Sequence, residues 1–247
     1  ATDFGDSTIT DENRAGAYSF TRGVFAGGEN SNNAIDYVTV LTTGNATNFG
    51  DLITGLGSKN GVTSLVRGCF GGGDDGSATK NIIEYVTIDT TGDGTDFGDL
   101  TAARNPASCD DKSRGCFCGG YNSNVIDYIT ISSTGNATDF GDLTRSNYQE
   151  AGLSDSTRGV IGGGNSSNNT MDYFTIQTTG NATDFGDLTV GRGQLGGLSD
   201  ATRGVFGGGS GAGDDEVMDY ITIQTTGNAT DFGDLSVVAN SLTGVSG

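Results

Sequence analysis

Hydrophobic positions in this chain fall in short runs bounded by glycines, with no sustained helical period. RGVFGGG over 203–209 is a brief apolar run closed by glycines, which predicts a buried strand entering a turn. MDYITIQTTG over 218–227 carries Tyr, Ile and Thr in β-favouring alternation and stops at Thr-Thr-Gly-Asn. That stop predicts a tight hairpin turn, because Gly and Asn tolerate positive φ. ATDFGDL over 229–235 predicts a further strand, and QLGGLSD over 194–200 a shorter, less regular one. Apolar residues occupy both faces of the middle strands (Ile35 and Tyr37 against Val38 and Val40), so both sides of such a sheet are expected to be covered.

The runs repeat in a fixed order. Asp-Phe-Gly-Asp-like blocks place aromatics at Phe4, Phe49, Phe97, Phe140, Phe185 and Phe232, between 43 and 48 residues apart. An Arg-Gly pair opens a second block at Arg22, Arg67, Arg114, Arg158 and Arg203. An acid-Tyr pair marks a third at Tyr37, Tyr85, Tyr128, Tyr173 and Tyr220. Four short strands in each unit of about 45 residues is the arithmetic of a propeller blade. The expected fold is therefore all-β: one β-propeller domain over 1–247, with five four-stranded repeats within 9–235 and strand overhangs at 1–8 and 236–247. Three readings of the overhangs follow: a ring closed at five blades with loose or swapped ends, strand exchange with neighbouring subunits, or a piece of a longer array.

Composition narrows the function. The 44 glycines with a single proline read as punctuation of strand ends and turns rather than as a flexible linker. The absence of His removes imidazole metal sites and His-dependent triads. A net charge of −19 repels phosphate backbones, so nucleic acid is not an expected partner. No apolar run approaches the roughly 18 residues of a membrane helix, and membrane insertion is not expected.

The order Arg, apolar strand ending in Gly-Gly, acid-Tyr, Thr-rich turn and aromatic resembles the kelch repeat of β-propellers across residues 9–235. It departs from that pattern where Trp is usual and Phe49, Phe97, Phe140, Phe185 and Phe232 stand. The near-identical TTGNATDFGDL units are also similar to repeat proteins encoded by marine phages, often as virion components. The kelch resemblance raises galactose-oxidase-type chemistry, which needs His ligands for copper that this chain lacks. Sialidase-type chemistry needs an arginine triad with a Tyr nucleophile and nearby carboxylates, whereas here Arg and Tyr recur by repetition, with no single unit equipped differently.

Candidate residues follow from the repeat. Arg22, Arg67, Arg114, Arg158 and Arg203 each share a unit with an acid, Asp36, Glu84, Asp127, Asp172 and Asp219, and structural ion pairs are expected. The Asp pairs of the Phe-Gly blocks, among them Asp139 with Asp142 and Asp184 with Asp187, are candidate Ca2+ ligands, with Asx-turns as the alternative. No other cofactor is expected. Cys69 and Cys116 share a repeat position and read as buried small side chains, while Cys109 and Cys118 lie on adjacent predicted strands and are a candidate disulfide whose pairing depends on the strand register. Asn45, Asn136, Asn165, Asn168, Asn181 and Asn228 are glycosylation sequons, four of them in the Thr-Gly-Asn turns.

Variation between units gives the functional argument. Alternating strands place the loops between second and third strands on the same rim as the inter-blade segments. Those are the stretches that differ: 29–33, 74–81, 121–124, 165–169 and 210–217, with 10–13, 54–60, 102–107, 145–150 and 190–195. A constant scaffold with one varied rim is the layout of a binding surface, with relaxed loop drift as the alternative. Tyr121, Tyr148, Arg145, Arg104 and Arg192, with Asp74, Asp75, Asp214 and Asp215, are the contact candidates. The expected function is a non-enzymatic structural or adhesive module, extracellular or on a virion surface, that binds a glycan or protein receptor and self-assembles or joins other filament or virion subunits. A free lectin-like protein is the alternative, and a glycan hydrolase the third reading.

Overall fold

The computed structural model describes residues 3–29, 31–165, 167–211 and 216–242. It is an all-β propeller of five four-stranded antiparallel blades. Blade 1 holds β1 (Ala15–Tyr18), β2 (Arg22–Ala26), β3 (Ala34–Thr39) and β4 (Thr47–Asp51). Blade 2 holds β5 (Asn60–Thr63), β6 (Arg67–Gly71), β7 (Ile82–Thr87) and β8 (Thr95–Asp99). Blade 3 holds β9 (Ala107–Asp110), β10 (Arg114–Cys118), β11 (Ser123–Thr130) and β12 (Thr138–Asn147). Blade 4 holds β13 (Ala151–Ser154), β14 (Arg158–Gly162), β15 (Thr170–Thr175) and β16 (Thr183–Asp187). A short pair, β17 (Arg192–Gly193) with β20 (Ser210–Gly211), flanks blade 5, which holds β18 (Gly196–Ser199), β19 (Arg203–Gly207), β21 (Val217–Thr222) and β22 (Thr230–Asp234).

The Phe-Gly block is a bulge. In blade 1, Ile35 lies opposite Gly50 and Asp36 opposite Asn48, so Phe49 is the extra residue, and blades 2 to 5 repeat the slip. Gly50 sits at φ 151, where a Cβ would also lie 2.5 Å from the Gly92 carbonyl oxygen, so glycine is required twice over. The bulge throws Phe49 edge-on to Tyr37 at 6.1 Å and turns its carbonyl outward to accept from Gly92 N of blade 2 at 2.9 Å. The Thr-Gly-Asn turn is consequently not the tight hairpin expected: residues 40–46 form a longer connection, because the turn glycine must reach the preceding strand.

Apolar clusters lie between blades. One combines Val24 and Ile35 of blade 1 with Phe70 and Ile88 of blade 2. Inner strands pack in series, β1 on β5, β5 on β9, β9 on β13 and β13 on β18, and no comparable contact joins β18 to β1. Consecutive blades thus bury their facing sides against one another and share one extended core.

Candidate functional site

The innermost strands surround a central channel. Hydroxyls stitch neighbouring walls: Thr63 Oγ1 donates to Tyr18 O at 2.8 Å, Ser108 Oγ to Gly61 O at 2.8 Å, Ser154 Oγ to Asp110 O at 2.6 Å and Ser199 Oγ to Ser154 O at 2.6 Å. Small side chains suit strands this close. At one end, loops between second and third strands meet the inter-blade segments: Gly57 N donates to Asp74 O at 2.9 Å, and Asn165 N to Tyr148 O at 2.8 Å. Both sets of varied loops therefore share one rim. The channel cavity holds about 720 Å³, and its mouth is lined by Asp74, Asn105, Tyr121, Tyr148, Gln149 and Gln194. The Tyr121 and Tyr148 rings stand edge to face, 5.5 Å apart, with Tyr121 61% exposed. Asn13, Ser58, Gln149 and Gln194 all adopt left-handed backbone there, a conformation that costs energy for Ser and Gln and fixes where the rim turns inward.

Of the expected contact residues, Tyr121, Tyr148 and Asp74 converge on this mouth, while Arg145 is half-buried on β12 and outside the channel lining. Asp75 is taken up locally, paired with Lys80 at 2.7 Å and accepting from Ser77 N and Ala78 N, and these bonds pull its carboxyl down to about 2. Asp214 and Asp215 lie outside the described residues. Arg104 and Arg192 are not rim contacts at all: they are 1% and 0% exposed. Their loops fold back, and each guanidinium tucks under the rim against an acid.

Those acids have other partners than expected. Arg104 pairs with Asp127 at 2.7 Å, Arg192 with Asp219 at 2.8 Å, Arg14 with Asp36 at 2.9 Å and Lys59 with Glu84 at 2.7 Å. The repeated Arg22, Arg67, Arg114, Arg158 and Arg203 instead stack on Tyr37, Tyr85, Tyr128, Tyr173 and Tyr220, 4.1 to 4.4 Å from the ring centroids. Strand parity explains the correction. Arg22 lies opposite Thr39, which puts Tyr37 on its face and Asp36 on the other. The first four arginines also donate across the junction, to Ile88 O, Ile131 O, Ile176 O and Ile223 O at 3.0 to 3.1 Å.

Blade 4 breaks the pattern. Asp172 accepts from Thr144 N and Thr144 Oγ1, and no ion pair reaches it among the described residues. Glu150 stands immediately before β13, where Arg14 and Lys59 stand before β1 and β5. Its Oε2 is buried without a hydrogen-bond partner, and burial, reinforced by the charge of Asp172, pushes its carboxyl up to about 8. The residue sequence that carried this signal was the acid in 145–150 at a position where two other units have a cation.

At the other end of the channel, unit 3 places Asp110 where the other units carry Tyr18, Thr63, Ser154 and Ser199, and Lys112 where they carry Phe20, Leu65, Ser156 and Ala201. Lys112 Nζ lies 3.5 Å from Asp110, bonds the Tyr18 hydroxyl and sits over the Tyr18 ring at 4.3 Å. Burial raises the Asp110 carboxyl to about 7 and lowers Lys112 to about 8. The four cysteines are free and buried, and the strand register sets Cys109 opposite Cys116 rather than Cys118, which faces Ala107. Burial raises Cys69 to about 12.

The described residues contain no group of three or more His, Cys, Asp or Glu placed to hold a metal. Asp139 Oδ1 accepts from Gly141 N at 3.1 Å in an Asx-turn, and Asp142, Asp184 and Asp187 belong to the same bulged strands. The sequon residues Asn45, Asn136, Asn181 and Asn228 accept from Asp6 N, Asp99 N, Asp142 N and Asp187 N of the preceding repeat at 3.0 to 3.1 Å. Asn165 and Asn168 lie on the varied rim, where Asn168 Oδ1 accepts from Thr170 N. No protein-family model and no curated protein matches this chain.

Proposed function

We propose that this chain is a non-enzymatic structural or adhesive propeller of an extracellular filament or virion surface, taking a glycan or protein segment at the varied mouth of its channel. The observation that carries the reading is the exposed Tyr121, edge to face with the half-buried Tyr148, at the opening of a cavity of about 720 Å³ rimmed by Asp74, Asn105, Gln149 and Gln194. Aromatic faces stack on the C–H side of a sugar ring, while amides and a carboxylate accept or donate around its hydroxyls. With a net charge of −19, the surface disfavours sialylated or sulfated glycans and favours neutral ones. The recurrence of the Arg–Tyr stack in every unit supports a scaffold over a catalyst, and the likeness to kelch repeats and to phage-encoded repeat proteins supports a surface role.

A glycan array probed with the wild-type chain and with Tyr121→Ala/Tyr148→Ala tests this. Neutral glycans are expected to bind, and the double variant to lose about tenfold or more in affinity. Absence of binding to every glycan and every surface-protein extract, or binding untouched by the double variant, would refute it. Turnover of a bound glycan would instead establish the hydrolase reading.

A further inference from the structure

The seam between blade 5 and blade 1 differs from the four junctions between consecutive blades. At the junction of blades 2 and 3, Phe97 O accepts from Gly135 N at 2.7 Å, Asp99 O from Ala137 N at 2.8 Å and Asn136 Oδ1 from Asp99 N at 3.1 Å. Residues 3–8 make that same clamp on blade 1: Phe4 O accepts from Gly44 N at 2.8 Å, Asp6 O from Ala46 N at 2.8 Å, and Thr8 Oγ1 donates to Asp36. Residues 236–242 mimic the other half of a junction on blade 5. Ala239 O accepts from Gly209 N at 2.8 Å, as Arg104 O accepts from Gly73 N and Arg192 O from Gly164 N. Ser241 takes the left-handed backbone of Asn13, Ser58, Gln149 and Gln194.

The surface that these segments leave open is apolar on both sides. On blade 5, Phe232 is 49% exposed, where Phe49, Phe97, Phe140 and Phe185 are 3% or less, and Leu198 is 48% exposed, where Ala17 and Val62 are 1%. On blade 1, Val40 is 48% exposed, where Ile88, Ile131, Ile176 and Ile223 are 0%. Arg203 stacks on Tyr220, yet among the described residues its guanidinium meets no carbonyl of a following blade.

We propose that these two faces bind each other between copies of this chain. Blade 5 of one copy receives blade 1 of the next, residues 230–235 taking the place of residues 3–8, and residues 9–14 that of residues 236–242. The new contact repeats a junction that the chain already builds four times. Closing the ring within one chain would instead require β18 to meet β1, a contact the described residues do not make. The contact is heterologous, so it joins copies head to tail, into a ring where its rotation closes and a filament where it does not. The charge of −19 on each copy opposes it, and salt therefore promotes it. This deepens the structural half of the function proposed above and rests on it, while leaving the ligand at the channel mouth unaffected.

Sedimentation of the full chain across a range of concentrations, at low and high salt, tests the idea. Wild-type mass is expected to rise with concentration and with salt. Phe4→Ala/Thr8→Val, which loosens the residues 3–8 clamp, should associate about tenfold more tightly, and Phe232→Glu about tenfold more weakly or not at all. Phe232 is already half exposed, so Phe232→Glu leaves the blades folded, and its glycan binding should equal that of wild type. Strict monomers in both wild type and the loosened variant, including a monomer that closes its own ring, would overturn the proposal. So would association that Phe232→Glu does not change.

Discussion

Glu150→Gln should convert a pH-dependent weakness of blade 4 into a pH-independent site. The folded carboxyl, with Oε2 buried and unpartnered, titrates at about 8 against an ordinary value of 4.5. Between those values the folded protein holds a proton that the unfolded chain has lost. Stability therefore falls as pH rises from about 4.5 to 8, and is level outside that window. At about 1.4 kcal/mol per unit, the fall amounts to roughly 5 kcal/mol. Glutamine keeps the shape of the neutral acid and does not titrate. The stability gap between variant and wild type should be small at pH 4 and reach roughly 5 kcal/mol near pH 9, or about 10–20 °C in Tm for a chain this size. Other carboxylates titrate in both proteins and cancel in the difference. Thermal unfolding of the two proteins at a series of pH values measures it. A gap that stays constant through the window, or opens towards acid, would refute the reasoning. Glu150→Arg supplies the companion test: it offers Asp172 the cation that Arg14 offers Asp36, and should stabilise the fold at neutral pH.

The bulge glycines offer an internal control. Gly98 and Gly233 share positive φ, 144° and 127°, but a Cβ at Gly98 would lie 2.5 Å from the Gly135 carbonyl, while nothing lies within 4 Å at Gly233. Gly233→Ala should cost about 1–2 kcal/mol of backbone strain, and Gly98→Ala that plus about 3 kcal/mol for the three clamp hydrogen bonds; equal costs in urea unfolding would contradict the clamp. Arg104→Ala should destabilise by about 3–5 kcal/mol through the stranded Asp127 carboxylate, yet leave the glycan affinity of folded protein unchanged, and a loss of affinity without loss of stability would return Arg104 to the rim.

The sequence displayed this fold because its repeat is tied to local physics: a bulge needs a positive-φ glycine, and a blade edge needs an aromatic beside it. The number of blades, the order of their strands and the shared rim all follow from such local signals. Partner choice was harder to read, because it depends on strand parity and on residues in the neighbouring repeat. Arg22 and Asp36 share a unit and carry opposite charge, yet the face on which each projects is set by the pairing of Arg22 with Thr39. The Asp-Phe-Gly-Asp block looks like a pair of metal ligands when read alone. Across the junction, its main function is backbone: the Phe and second Asp carbonyls and the Asp N–H grip a turn some forty residues ahead. The same logic applies to Glu150. A buried cation at that place is structural in other blades, so an acid there is conspicuous only once the buried slot has been seen. Repetition therefore hides function as well as revealing fold. Where every unit solves the same packing problem, the informative residues are those that solve it differently, and in this propeller they are Glu150 in blade 4, Asp110 and Lys112 in blade 3, and the two uncovered faces at the seam.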